Sequence, residues 1–256
     1  MTKRPEPEMT LLDHIKELRR RLFNSVAAVI ITTIIASVVA DYIINWLTRP
    51  LGGALVVALD PVEAPIVYFK IALAIGFGAA LPYIFYQIYQ FAAPGLLPNE
   101  RKMLIFGLPA VAIFFVLGML FTLQVLVPLS MPMLMGFLGT VVTPTYSLEK
   151  YINFVTLLAV WMGIIFQTPL VIYAIALMGF VTPQQLSRSR RLVIFLTAVF
   201  AAIITPTHDP FTMLLVTGPF IVLYEIGILF SRFAVRQRKR RAAASEAATA
   251  AALEAD

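Results

Sequence analysis

An all-α integral membrane protein is the fold class this sequence predicts, and three observations predict it. The 256 residues are 60% hydrophobic and only 13% charged, where a soluble domain carries about 25% charge, and the mean hydropathy is +0.86. Residues 22–40, 71–99, 103–148 and 151–187 contain no Asp, Glu, Lys or Arg, and about 20 apolar residues suffice for a membrane-spanning helix. Within these windows the apolar residues follow one another without the alternation of a transmembrane β-barrel. A disordered chain and a soluble globular enzyme are both excluded.

Hydropathy, punctuated by Pro, Gly and charge, predicts six transmembrane helices at 22–47, 66–92, 103–129, 153–178, 192–205 and 211–230. The apolar piece 133–146 competes for a seventh, and charge decides against it. With six spans, 17 of the 20 Lys and Arg residues lie on the side of the termini, leaving Arg49, Lys70 and Lys150 on or near the other. The positive-inside rule then places both termini in the cytoplasm, and 133–146 becomes part of an external loop. The fifth and sixth helices are short: residues 192–205 rise only about 21 Å against a hydrocarbon core of about 30 Å. A locally thinned bilayer beside this pair is expected.

Residues 1–21 are polar and basic, with no cleavable signal pattern, so the first span is expected to remain in the mature protein. The organisation that follows is an N-terminal amphipathic helix in 1–21, a six-helix domain in 22–230 and a basic, Ala-rich tail in 231–256. After Arg241 that tail is expected to be mobile or weakly helical. No internal duplication is visible, which weakens a small-solute secondary transporter as the alternative function.

Cysteine is absent, and His14 and His208 fall on opposite sides of the membrane. Disulfides, iron–sulfur clusters and a dyad using both histidines are thereby excluded, and no metal or other cofactor is expected. No nucleotide-binding, serine-hydrolase or zinc-protease motif occurs, so a non-enzymatic protein is expected. The net charge of +6 reads as a topology signal with attraction to anionic membrane lipid, and implies no nucleic acid.

The residues that carry chemistry lie in three places. In MTLLDHIKELRRRLF, Thr10 and Asp13 fit a capping box, and Leu11, Ile15, Leu18 and Leu22 recur at helical spacing. Glu17 then stands one turn before Arg21, an i,i+4 pair worth a few tenths of a kcal/mol. In FAAPGLLPNERKM, Glu100 falls in the first turn of the following helix, where the macrodipole alone favours a carboxylate. Glu17 and Glu100 share one face of the membrane, and together they suggest an acidic patch able to grip guanidinium groups bidentately. At membrane depth, Gln167 precedes Thr168 and Pro169, so a polar group meets a backbone break. Helix–helix hydrogen bonding and a functional role are both open to it. Glu225 is placed to snorkel or pair with Arg232 or another base, and Asp209 in TPTHDP suits a turn or cap. Tyr83, Phe85, Tyr86, Tyr89 and Phe91 read as an interfacial aromatic belt.

Several of these residues also form a pattern. His14-x-x-Glu17-Leu18-Arg19-x-Arg21-Leu22 precedes the first span, and Pro82, Gln87, Phe91, Pro94 and Leu96 lead to Glu100-Arg101. Phe166-x-x-Pro169, Thr205-Pro206 with Asp209, and Tyr224-Glu225-Ile226-Gly227 follow in order. Over residues 10–235 the sequence resembles the TatC family, the multi-spanning subunit of the twin-arginine (Sec-independent) protein translocase. The resemblance implies a cupped, glove-like six-helix bundle that binds twin-arginine signal peptides of folded proteins. It implies a cytoplasmic recognition patch at Glu17 and Glu100, with His14, Arg19, Gln87 and Phe91 around it. It further implies assembly with single-span TatA and TatB, a homo-oligomer within a Tat complex, and export across the cell inner membrane driven by the proton-motive force. Family members often carry Glu where this chain has Gln167, and a neutral amide cannot titrate as a carboxylate does.

Overall fold

The computed structural model describes residues 11–48, 56–92, 98–136, 145–205 and 209–254. Ten α-helices follow in order among them: α1 (Leu11–Ser37), α2 (Ala40–Thr48), α3 (Glu63–Ala92), α4 (Pro98–Phe121), α5 (Val127–Gly136), α6 (Leu148–Ile165), α7 (Thr168–Leu177), α8 (Pro183–Arg188), α9 (Arg190–Ile204) and α10 (Pro210–Glu254). Two two-residue strands, β1 (Val56–Val57) and β2 (Tyr146–Ser147), pair in parallel. Five stretches are long and apolar enough to cross a membrane: His14–Ser37, Glu63–Phe91, Gly107–Leu134, Leu148–Leu177 and Pro210–Arg238. The sixth span is α9, whose 15 residues make it about 22 Å long, close to the expected length.

The boundaries differ from the sequence reading in the first, third and last spans. The helix that carries the first span starts earlier, because α1 continues without a break from Leu11, and it ends in a turn at Val38–Val39 that precedes α2. The third span runs past residue 129 to Gly136 through a π-helical turn at Thr122–Leu126. Pro128 lacks the N–H that would bond the carbonyl of residue 124 and would crowd it in an α-helix, and the wider π turn relieves both. Residues 133–136 therefore finish this span; 137–144, the middle of the expected external loop, lie outside the described residues. The fourth span breaks where expected, with α6 ending at Ile165 and α7 opening at Thr168 with Pro169 in its first turn.

The last helix departs furthest. Expected to be short, α10 is instead 45 residues long, with an apolar stretch over Pro210–Arg238, and carries the basic segment and the Ala-rich tail as far as Glu254. The turns just beyond residue 230 are anchored by packing: Ala234 is buried against Ala176 and Leu177 of α7, and the Tyr173 hydroxyl donates to Gln237 Oε1 at 3.5 Å.

The helices pack as a bundle centred on α3, α4 and α6. α1 packs chiefly along α3 in antiparallel register, α3 on α4 and α6, α4 on α6, and α10 on α7 and α9. The main core joins Ile71, Leu126, Ile152, Val155, Leu158, Met162 and Val216. Beside it, Phe115 of α4 lies so close to Gly78 and Gly163 that a Cβ on either glycine would strike its ring, which is how α3, α4 and α6 meet. At the end away from the termini, Ser147 caps α6 by accepting from the Lys150 N–H, and its hydroxyl donates to the buried Glu63 Oε1 at 3.1 Å. The Tyr151 hydroxyl donates to the Leu47 carbonyl at 2.7 Å. At this end α2, α3 and α6 are thus tied together by side-chain hydrogen bonds.

Candidate functional site

The polar constellation at the terminal end is built by the antiparallel pairing of α1 and α3. Thr32 donates to the Gly76 carbonyl at 2.7 Å and Tyr68 to the Ser37 carbonyl at 2.7 Å. This register carries upward to bring Glu17 and Arg21 opposite Gln87. The Arg21 guanidinium donates through Nη2 to Glu17 Oε1 at 2.8 Å and through Nη1 to Gln87 Oε1 at 3.1 Å. The i,i+4 pair foreseen in the sequence is therefore one arm of a three-residue bridge between helices. Gln87 is 4% exposed, while the Glu17 and Arg21 side chains are partly exposed. The second carboxylate oxygen, Glu17 Oε2, is buried and has no hydrogen-bond partner.

This bridge floors a groove of about 600 Å³ lined by Lys16, Glu17, Arg20, Arg21, Asn24, Tyr83, Tyr86, Gln87 and Gln90. On the same ends, His14 stacks on Phe91 with ring centroids 4.3 Å apart and a 30° tilt. Arg19 is exposed. Glu100 belongs to the first turn of α4; its side chain lies outside the described residues, as do Pro94 and Leu96 in the preceding loop and Pro206 and His208 in the last turn.

The remaining singled-out residues are dispersed. Gln167 is 4% exposed, and its Nε2 donates to the carbonyls of Val111 on α4 and Gly163 on α6, both at 3.2 Å. Its Oε1 is buried without a partner. The amide therefore ties two spans together at the break that Pro169 enforces. Asp209 caps α10, its Oδ1 accepting from the Thr212 N–H at 2.7 Å. Glu225 accepts from Arg190 of α9 at 2.7 Å, so its base is Arg190 and not Arg232. The aromatic group divides: Tyr83 is 42% exposed, as a belt residue is, whereas Tyr89 is buried.

Sequence reasoning missed the interhelical contact of Arg21 with Gln87 and the unpartnered oxygen of Glu17. Both depend on the α1–α3 register, for which an isolated helix pattern holds no signal.

A family model described as Sec-independent protein translocase protein (TatC) matches residues 13–219. The chain belongs to the TatC family. It is 36% identical to the TatC protein of Aquifex aeolicus, over 90% of this chain and 98% of that one. It is 33% identical to the TatC protein of Carboxydothermus hydrogenoformans, over 88% and 93%. A crystal structure described as the twin arginine translocase receptor TatC superposes with a TM-score of 0.76 at 36% identity, covering 86% of this chain and 99% of that one. As a TatC-family member the chain is a multi-pass membrane protein and a component of a Sec-independent protein translocase.

Proposed function

We propose that this chain is the signal-peptide receptor subunit of a twin-arginine translocase, with Glu17 as a guanidinium acceptor and Glu100 as the second carboxylate. One observation carries the reading: Glu17 is held by Arg21 through one oxygen while the other is buried and unpaired. A carboxylate has room for several donors, and an unmet buried acceptor is costly until a donor reaches it. The solved structure that the chain resembles is itself described as a receptor.

In this reading His14, Phe91, Arg19 and Gln87 frame the recognition surface. Both termini are cytoplasmic, the chain sits in the cell inner membrane, and it catalyses no reaction of its own. It assembles with TatA or TatB, in a homo-oligomeric Tat complex, and the proton-motive force drives export of folded cargo. The short α9 and the apolar part of α10 supply the docking site for the single-span partners.

The test is binding of a fluorescent twin-arginine peptide to the full chain in nanodiscs, compared with its Lys-Lys version. Lys cannot reproduce the planar fork, so Arg-Arg binds at least several-fold tighter, and Glu17→Ala or Glu100→Ala removes the preference. Equal affinity for both peptides at moderate salt overturns the receptor reading; a preference that survives both substitutions moves the site elsewhere.

A further inference from the structure

We propose that the flank of the α1–α3 groove holds the phosphodiester headgroup of an anionic phospholipid, with Arg20, Asn24 and Tyr83 as its donors. Among the described residues lining the groove, Arg20 and Arg21 face a single carboxylate, Glu17, which leaves positive charge on the Arg20 flank. That carboxylate is already joined to Arg21, and Gln87 takes the other end of the same guanidinium. The Tyr86 hydroxyl is engaged by Gln90 Nε2.

What remains is a set of donors without acceptors. Among the described residues, Arg20, Asn24 and the Tyr83 hydroxyl make no hydrogen bond or ion pair, although all three line the groove. A guanidinium, an amide and a phenol match the several acceptor oxygens of a phosphodiester.

The setting identifies the source of that phosphate as a lipid. Arg20 lies just before the charge-free stretch that begins at residue 22, at headgroup depth, and Tyr83 sits where interfacial tyrosines gather. Because α1 packs chiefly on α3, no other helix among the described residues packs extensively on the outer flank of the groove. From Arg20 the same face of α1 continues at helical spacing through Phe23, Ile30 and Ile34, which are 77%, 55% and 65% exposed. A headgroup in the groove thus leaves its acyl chains lying along this stripe. Arg236, an exposed base on α10, is not among the residues that line this groove.

The test is native mass spectrometry of the purified full chain in neutral detergent, titrated with phosphatidylglycerol or with phosphatidylcholine of the same acyl chains. The expected result is a preferred first phosphatidylglycerol whose affinity falls about fivefold in Arg20→Gln, on the scale of one interfacial base. A smaller fall is expected in Tyr83→Phe and none in Arg236→Gln, with phosphatidylcholine indifferent throughout. Unchanged phosphatidylglycerol binding in Arg20→Gln overturns the site, and an equal fall in Arg236→Gln reduces it to general surface attraction, which also overturns it. Displacement of the lipid by millimolar inorganic phosphate overturns the lipid as the source. Should Arg20→Gln fail to assemble, Tyr83→Phe, which removes only a hydroxyl, decides by the same comparison. Peptide selectivity is a separate readout, so loss of the receptor reading leaves this one standing.

Discussion

Glu17 and Gln167 each present a buried side-chain oxygen with no partner, yet their surroundings differ. Glu17 lines an open polar groove, beside bases and tyrosines, on a helix that touches little but α3. Gln167 lies deep between three helical segments, its amide hydrogens already given to two carbonyls. The same deficit therefore has different meanings. At the groove, in the receptor reading, a donor from an arriving peptide meets the oxygen. In the interior nothing arrives, and it is the residual cost of a brace that holds α4 against the broken fourth span.

The largest expected effect that sharpens this contrast is on binding. Glu17→Gln keeps the shape and removes the charge, and hydrogen bonds to charged groups are worth about 1.5–3 kcal/mol. Twin-arginine peptide affinity should drop more than about tenfold in nanodiscs, with thermal stability nearly unchanged. The mirror experiment is Gln167→Leu, which removes both donors and should cost about 1–2 kcal/mol of stability while leaving peptide affinity intact. Loss of peptide binding there, with the protein still folded, would break the distinction between brace and acceptor.

A third prediction tests a junction remote from both. Gly179 closes α7 with φ of 84°, and the Arg238 guanidinium packs directly against it where a side chain would stand. Gly179→Ala should cost about 1–2 kcal/mol from the left-handed backbone alone, more if Arg238 cannot move, seen as a lowered midpoint in thermal unfolding. The smallest effect is at Arg190 and Glu225, whose side chains are 45% and 43% exposed. A double-mutant cycle there should return under about 1 kcal/mol, as exposed pairs do. A larger coupling would make this pair a true interhelical anchor.

The six spans were legible because the bilayer is a severe filter: charge-free length and the side on which bases accumulate leave few other threadings. The break at Gln167–Pro169 was legible for a local reason, since proline removes a hydrogen bond wherever it stands. Asp209 as a cap and Glu17 with Arg21 as a helical pair were equally local. The extension of the third span was hidden by the proline at residue 128, which argues for an ending until a π turn absorbs it. The helical tail was hidden by its composition, since α10 acquires its course beyond residue 230 partly from Ala234 and Gln237 packing on α7.

By itself the sequence determined the class, the number of spans and the resemblance to one family, because each follows from composition, order and local spacing. Only the tertiary structure decided which polar groups meet. Gln87 joins Arg21 across 66 residues and Gln167 reaches Val111 across 56, and such partners are chosen by the register in which helices pack. That register is fixed by close contacts such as Gly76 against Thr33 between α3 and α1, and Phe115 against Gly78 and Gly163, a complementarity of shape between distant segments that no single stretch of sequence contains.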